Sequence, residues 1–233
     1  MNQPEQASVF QWATFDVYLF DVYGTLINCA DAVHYFAFCD ALTAIAGRPV
    51  NLDGVTAHGN TDTGILRDAF VRVGVPESVW RPRLPEICAR MAAFVRERRH
   101  EFCIHTLPMV RDTLQHLRAR GAILGVATGN LESIGTHKLA AAGILDLFHL
   151  FAWSDGLEQR VDVFARAVTS ARSLAGQDAN IAVIGDTPAD VRAAHANSLP
   201  AIAVATGIYT YEQLQDESPE LCLHSFEELT IPV

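Results

Sequence analysis

The chain has 233 residues, half of them hydrophobic, which is enough for one substantial core plus an insertion. A formal net charge of −10 excludes nucleic acid as a natural partner, because phosphate backbones demand a basic footprint. No apolar run reaches the roughly 18 residues of a membrane span, and five scattered cysteines without metal-type spacing fit reduced thiols in the cytoplasm.

Residues 1–6 carry neither the basic start nor the apolar stretch of a signal peptide. Val17-Tyr18-Leu19-Phe20 then reads as a buried strand near 17–21, running into Asp21-Val22-Tyr23-Gly24-Thr25. Open α/β sheets bind ligands just beyond the carboxyl ends of their strands. A carboxylate there can attack an electrophile or ligate a metal; it can also simply cap a helix or form a turn.

From Cys29 to Leu107 no strand is expected. Helical stretches fall at 31–46, closed by Gly47, at 61–73, closed by Gly74, and at 86–99, with breaks at Pro82 and Pro85. Gly59-Asn60-Thr61-Asp62 opens the second of these, with Thr61 or Asp62 as its N-cap. The arginines at 81, 83, 90, 96, 98 and 99 read mostly as a solvated face, and His34 as a structural residue. His58 and His105 flank the interval near its hinges, where a histidine can stand in as a base.

A helix near 109–120 leads to a strand at 122–127 that ends in Thr128-Gly129-Asn130, a hydroxyl and approachable N–H groups ahead of a helix at 131–142. That arrangement suits an anion. After a strand at 147–152, Arg160 offers a fixed positive charge before a helix at 162–175. The strand at 181–185 runs into Gly185-Asp186-Thr187-Pro188-Ala189-Asp190, where the proline opens a helix at 188–197. Asp186 is then at the strand tip. Asp190 lies one turn further in, where it holds the loop or reaches a metal's water shell. A last core strand falls near 201–205. Strands alternating with helices imply a parallel sheet with crossover helices.

The motifs Asp21-x-x-Gly24-Thr25, Thr128-Gly129-Asn130 and Gly185-Asp186-Thr187-Pro188-Ala189-Asp190, in that order, resemble the haloacid dehalogenase-like hydrolase superfamily over nearly the whole chain. The resemblance implies a Rossmann-like α/β core at 1–27 and 108–233, with an all-helical cap domain inserted at 28–107. It makes Asp21 a nucleophile that forms a covalent aspartyl intermediate, usually a phosphoenzyme, and Thr128 a ligand of the transferring group. Mg2+ would be held by Asp21, the Tyr23 carbonyl and Asp186, with Asp190 in support. Gly129 and Asn130 would complete the cradle, while Asn60 and Asp62 would face a small phosphorylated substrate.

Two positions depart from the family pattern. Tyr23 stands where phosphatases of the family carry an acid/base aspartate, and a phenol with an unperturbed pKa near ~10 is a poor base at neutral pH. The family's usual lysine is also missing from its segment: the chain's single lysine, Lys138, falls on the helix after Thr128. Arg160 is the nearest basic residue in the right loop, and it adds a planar fork suited to phosphate or carboxylate. Tyrosine at position 23 resembles the 2-haloacid dehalogenase branch, which needs neither an oxygen-leaving-group acid nor magnesium. The Gly185–Asp190 segment resembles the phosphatase branch. The expectation is a Mg2+-dependent phosphatase slowed by Tyr23; the alternatives are a 2-haloacid dehalogenase or a catalytically impaired phosphate-binding homologue.

Overall fold

The computed structural model describes residues 10–229, so the leader reading at 1–6 and the outer ends of the expected core lie outside the described residues. In chain order the elements are β1 (Val17–Phe20), β2 (Ile27–Cys29), α1 (Val33–Ala46), α2 (Asp62–Arg72), α3 (Glu77–Trp80), α4 (Leu84–Arg98) and β3 (Ile104–Thr106). There follow α5 (Val110–Ala119), β4 (Ile123–Ala127), α6 (Glu132–Ala141), β5 (Leu150–Ala152), α7 (Arg160–Ala175), β6 (Ile181–Gly185), α8 (Pro188–Ala196), β7 (Ala201–Val204), α9 (Tyr211–Gln215) and β8 (Leu221–Leu223).

Six strands form one sheet in the order β5-β4-β1-β6-β7-β8, and every pairing is parallel. A parallel sheet of this kind is covered on both faces, so its strands are apolar throughout and do not alternate. β1, β4 and β6 behave this way, with Val17 to Phe20 and Leu124 to Ala127 buried. One face packs on Leu114, Leu117 and Leu139 from α5 and α6. The other packs on Phe164, Ala167 and Ala171 of α7, with Val191 and Ala194 of α8.

β1 lies between β4 and β6, so the chain leaves the sheet in opposite directions on either side of it. A crevice opens where the strand order reverses in this way. Asp21, Thr128 and Asp186 follow directly on β1, β4 and β6, which places all three at that crevice.

Helices α1 to α4 build a separate apolar cluster around Phe38, Leu42, Phe70, Trp80 and Met91. The interval expected to lack strands contains β3, which pairs antiparallel with β2 in the register Ile27↔Thr106 and Cys29↔Ile104. Strands of three residues show too little alternation to be read from sequence. The same brevity hid β8 and α9. Among the described residues no helix is long and apolar enough to cross a membrane.

Candidate active site

The loop after β1 is held by its own backbone. Asp21 N donates to Ile184 O at 3.0 Å, which continues the pairing with β6, and Leu26 N donates to Val22 O at 2.9 Å. Gly24 turns the chain at φ +81°, a conformation that L side chains rarely adopt. A Cβ there would also collide with the Asp186 carboxylate. Thr25 Oγ1 donates to Asp186 Oδ1 at 2.9 Å.

Asp186 is set by the turn into α8. Thr187 and Asp190 form a capping box: Asp190 N donates to Thr187 Oγ1 at 3.2 Å, and Thr187 N donates to Asp190 Oδ2 at 3.1 Å. Pro188 fills the first turn, as the sequence implies. Above the carboxylate, Gly207 leaves space that a Cβ would fill, and Thr206 Oγ1 donates to Gly24 O at 2.6 Å, tying the two loops together.

Asp21, Asp186 and Asp190 each offer a carboxylate oxygen, all within 4.8 Å of one another, and all three residues are buried. Asp186 has its pKa raised well above the usual carboxylate range, first by burial and then by the charges of Asp21 and Asp190. Burial also raises Asp190, against the pull of Arg160. Arg160 is the first residue of α7 and not part of the loop before it. Its Nε donates to Asp190 Oδ1 at 2.6 Å, and its Nη2 stands 2.6 Å from Asp21 Oδ1 and from Asp190 Oδ1. The Nη2 N–H bonds find no aligned acceptor among the described residues, so this contact is ionic. Burial opposes the guanidinium charge, but Asp190 and Asp21 outweigh it and raise the pKa further above the ordinary arginine value.

Three buried carboxylates offset by one guanidinium leave excess negative charge. Such a cluster fits a hard divalent cation, which takes oxygen ligands.

A cavity of about 240 Å³ opens onto Asp21, Tyr23, Gly129, Asn130, Arg160 and Asp186. Thr128 lies behind that wall, 1 % exposed, its hydroxyl accepting from Asn130 Nδ2 at 3.2 Å. Burial, followed by the charges of Cys29 and Asp186, pushes the Tyr23 phenol above its ordinary value. It therefore holds its proton at neutral pH.

Asn60 and Asp62 reach the cavity, and both also make hydrogen bonds within the protein. Thr61 is the N-cap of α2, accepting from Gly64 N at 2.9 Å. Asp62 Oδ2 accepts from Leu131 N at 2.8 Å, and Asp62 N donates to Gly129 O at 2.7 Å. Asn60 Oδ1 accepts from Thr61 N, and a Cβ at Gly129 would strike the Asn60 carbonyl. This segment therefore docks α2 on the loop after β4.

Lys138 corrects the sequence reading most. Although it lies outside the expected segment, it lines the same cavity, with Nζ 2.9 Å from Asn130 Oδ1 and 3.0 Å from His34 Nδ1. His34, read from sequence as structural, lines the cavity too. The available signal was a charge at residue 138 on the otherwise apolar, buried face formed by Ile134, Gly135 and Leu139. Gly207 was also missed, although Thr206-Gly207 follows β7 one residue further on than Thr128-Gly129 follows β4.

Residues 15–197 match the family model described as haloacid dehalogenase-like hydrolase. The chain is 28% identical over 154 residues to a probable phosphatase, IndB, of Dickeya dadantii, covering 63% of this chain and 67% of that protein. It is 24% identical over 219 residues to a phosphoglycolate phosphatase of Nitrosococcus oceani, covering 92% and 94%. In fold it is similar to CbbY from Rhodobacter sphaeroides, solved in complex with phosphate, with a TM-score of 0.67, 20% identity and coverage of 93% and 96%.

Proposed function

Because this chain belongs to the haloacid dehalogenase-like hydrolases, we propose that it is a Mg2+-dependent phosphatase of a small phosphorylated metabolite, with Asp21 as nucleophile. The observation that carries this reading is the carboxylate cluster of Asp21, Asp186 and Asp190, with Arg160 seated against Asp21. Relatives named as phosphatases support it. Displacement of halide from carbon gives such a cluster no task, so the dehalogenase reading rests on Tyr23 alone.

In the first step an Asp21 carboxylate oxygen attacks phosphorus, and the bond from phosphorus to the alcohol oxygen breaks. In the second, water attacks the same phosphorus and the acyl–phosphate bond breaks, returning the carboxylate and inorganic phosphate. Asp21 and Asp186, with the Tyr23 carbonyl, would hold the metal. When bound, magnesium supplies charge neutralisation and polarises the phosphoryl oxygens. Arg160 offers its Nη2 to the phosphoryl oxygens, and the N–H of Gly129 stabilises developing negative charge.

Tyr23 weakens both steps. A phenol held above its ordinary pKa is a poor donor to the departing alkoxide, and while it keeps its proton it is no base for the attacking water. Helices α1 to α4, within 28–107, act as a cap on a core formed by 1–27 and 108–233; closure of such lids sets turnover in many enzymes.

The test is phosphate release from simple monoesters with and without EDTA, joined to acid-quenched mass spectrometry. Phosphoryl mass on the peptide carrying Asp21, absent from Asp21→Asn, is the expected result. Halide release from a 2-haloacid in EDTA, with no phosphoryl adduct, overturns it.

A further inference from the structure

We propose that Lys138 and His34 form a subsite for a carboxylate carried by the alcohol half of the phosphate ester. This deepens the phosphatase reading and rests on it for the position of the phosphoryl group. Lys138 is the chain's single lysine and is 5 % exposed, yet no carboxylate lies within 4.0 Å of it among the described residues. Buried charges are ordinarily paired. An ammonium has three donors, and the two contacts to Asn130 Oδ1 and His34 Nδ1 leave one over.

The carboxylates nearest in the fold are already committed. Asp62 Oδ2 takes Leu131 N and stands 3.2 Å from His34 Nε2. Asp31 takes Val33 N at 3.1 Å and Cys103 N at 2.8 Å. Burial, with Lys138 also opposing a second positive charge, keeps His34 neutral, so its Nδ1 accepts from Nζ and fixes the ammonium in place.

Lys138 is buried at a mixed wall, where Phe38 stacks on His34 at 4.9 Å and Ile65 and Leu52 line the cavity alongside Asp62 and Asn130. Burial from water strengthens an ion pair. The phosphoryl group takes the aspartate cluster and Arg160, which leaves the carboxylate of the ester to Lys138.

The test uses full-length Asp21→Asn protein with Mg2+, titrated calorimetrically with 2-phosphoglycolate and with ethyl phosphate, which has the same two-carbon skeleton without the carboxylate. The expected preference for phosphoglycolate is about tenfold or more, the worth of one charged hydrogen bond. Adding Lys138→Gln removes that preference by weakening phosphoglycolate far more than ethyl phosphate, and Lys138→Arg keeps it. Equal affinities in the parent overturn the proposal, as does binding of neither ester or an equal loss on both in Lys138→Gln. If Lys138→Gln does not fold, the parent comparison and Lys138→Arg still decide. Lack of phosphate release by the unaltered enzyme, with the binding preference intact, strikes the phosphatase reading and leaves the subsite standing.

Discussion

Arg160 Nη2 and Asp21 Oδ1 stand 2.6 Å apart, with both side chains less than a tenth exposed. The pair brings the first residue of α7 against the residue after β1, and Asp190 closes the far side. Removing a buried cation from between two carboxylates typically costs about 3–5 kcal/mol. Arg160→Leu is expected to lower unfolding free energy by an amount of that order, with Mg2+ restoring part of it. Urea unfolding with and without Mg2+ measures both. A loss under about 1 kcal/mol would mean that the guanidinium does not balance the cluster.

Tyr23→Asp puts a carboxylate where both steps lack an acid/base group. General acid–base help is worth about 10²–10⁴-fold, so steady-state turnover on simple phosphate monoesters should rise at least roughly tenfold. Unchanged turnover would mean that position 23 is not the acid/base site in this chain.

Gly207→Ala sets a methyl group against the Asp186 carboxylate. The carboxylate must move, and disturbed support around metal ligands costs about 10–100-fold in affinity. The Mg2+ concentration for half-maximal activity should rise by about that factor, while the melting temperature in EDTA changes little. An unshifted magnesium titration would remove Asp186 from the proposed metal site.

His34 gives stability a pH slope. Its folded pKa lies below the ordinary value, chiefly through burial. As pH falls below about 6.5, unfolded His34 gains a proton that folded His34 refuses, so stability falls until the folded pKa is reached. His34→Gln, which keeps a donor and an acceptor, should flatten the fall between pH 7 and pH 5. Parallel stability curves for the two proteins, from urea unfolding across that range, would contradict the assignment.

β1, β4 and β6 were legible because they are apolar on both faces and each is followed by a polar residue: Asp21, Thr128 and Asp186. Proline and glycine marked the helix boundaries for the same local reason, as Pro188 and Gly47 illustrate. The β2–β3 ribbon was not legible, since its stability comes from pairing residues more than seventy positions apart, Cys29 with Ile104. Lys138 was misplaced because motif spacing assigns a residue to its own segment. Folding carries α6 back across the cavity, so that a side chain two turns along meets His34 from α1. Asp62 lines the cavity as its position suggested, and its hydrogen bond to Leu131 N also docks α2 on the loop after β4, a partner that no local pattern encodes.

Ile27 and Thr106 face each other across the ribbon, so the polypeptide departs from the sheet and comes back to it at neighbouring points. Everything between them is topologically a side-loop. It can lengthen, shorten or be exchanged for another fold while the strand order and the aspartate constellation persist. An exchange joined at those two residues would take His34 with it and leave Lys138 behind, so a new preference would depend on what the incoming segment sets against that lysine.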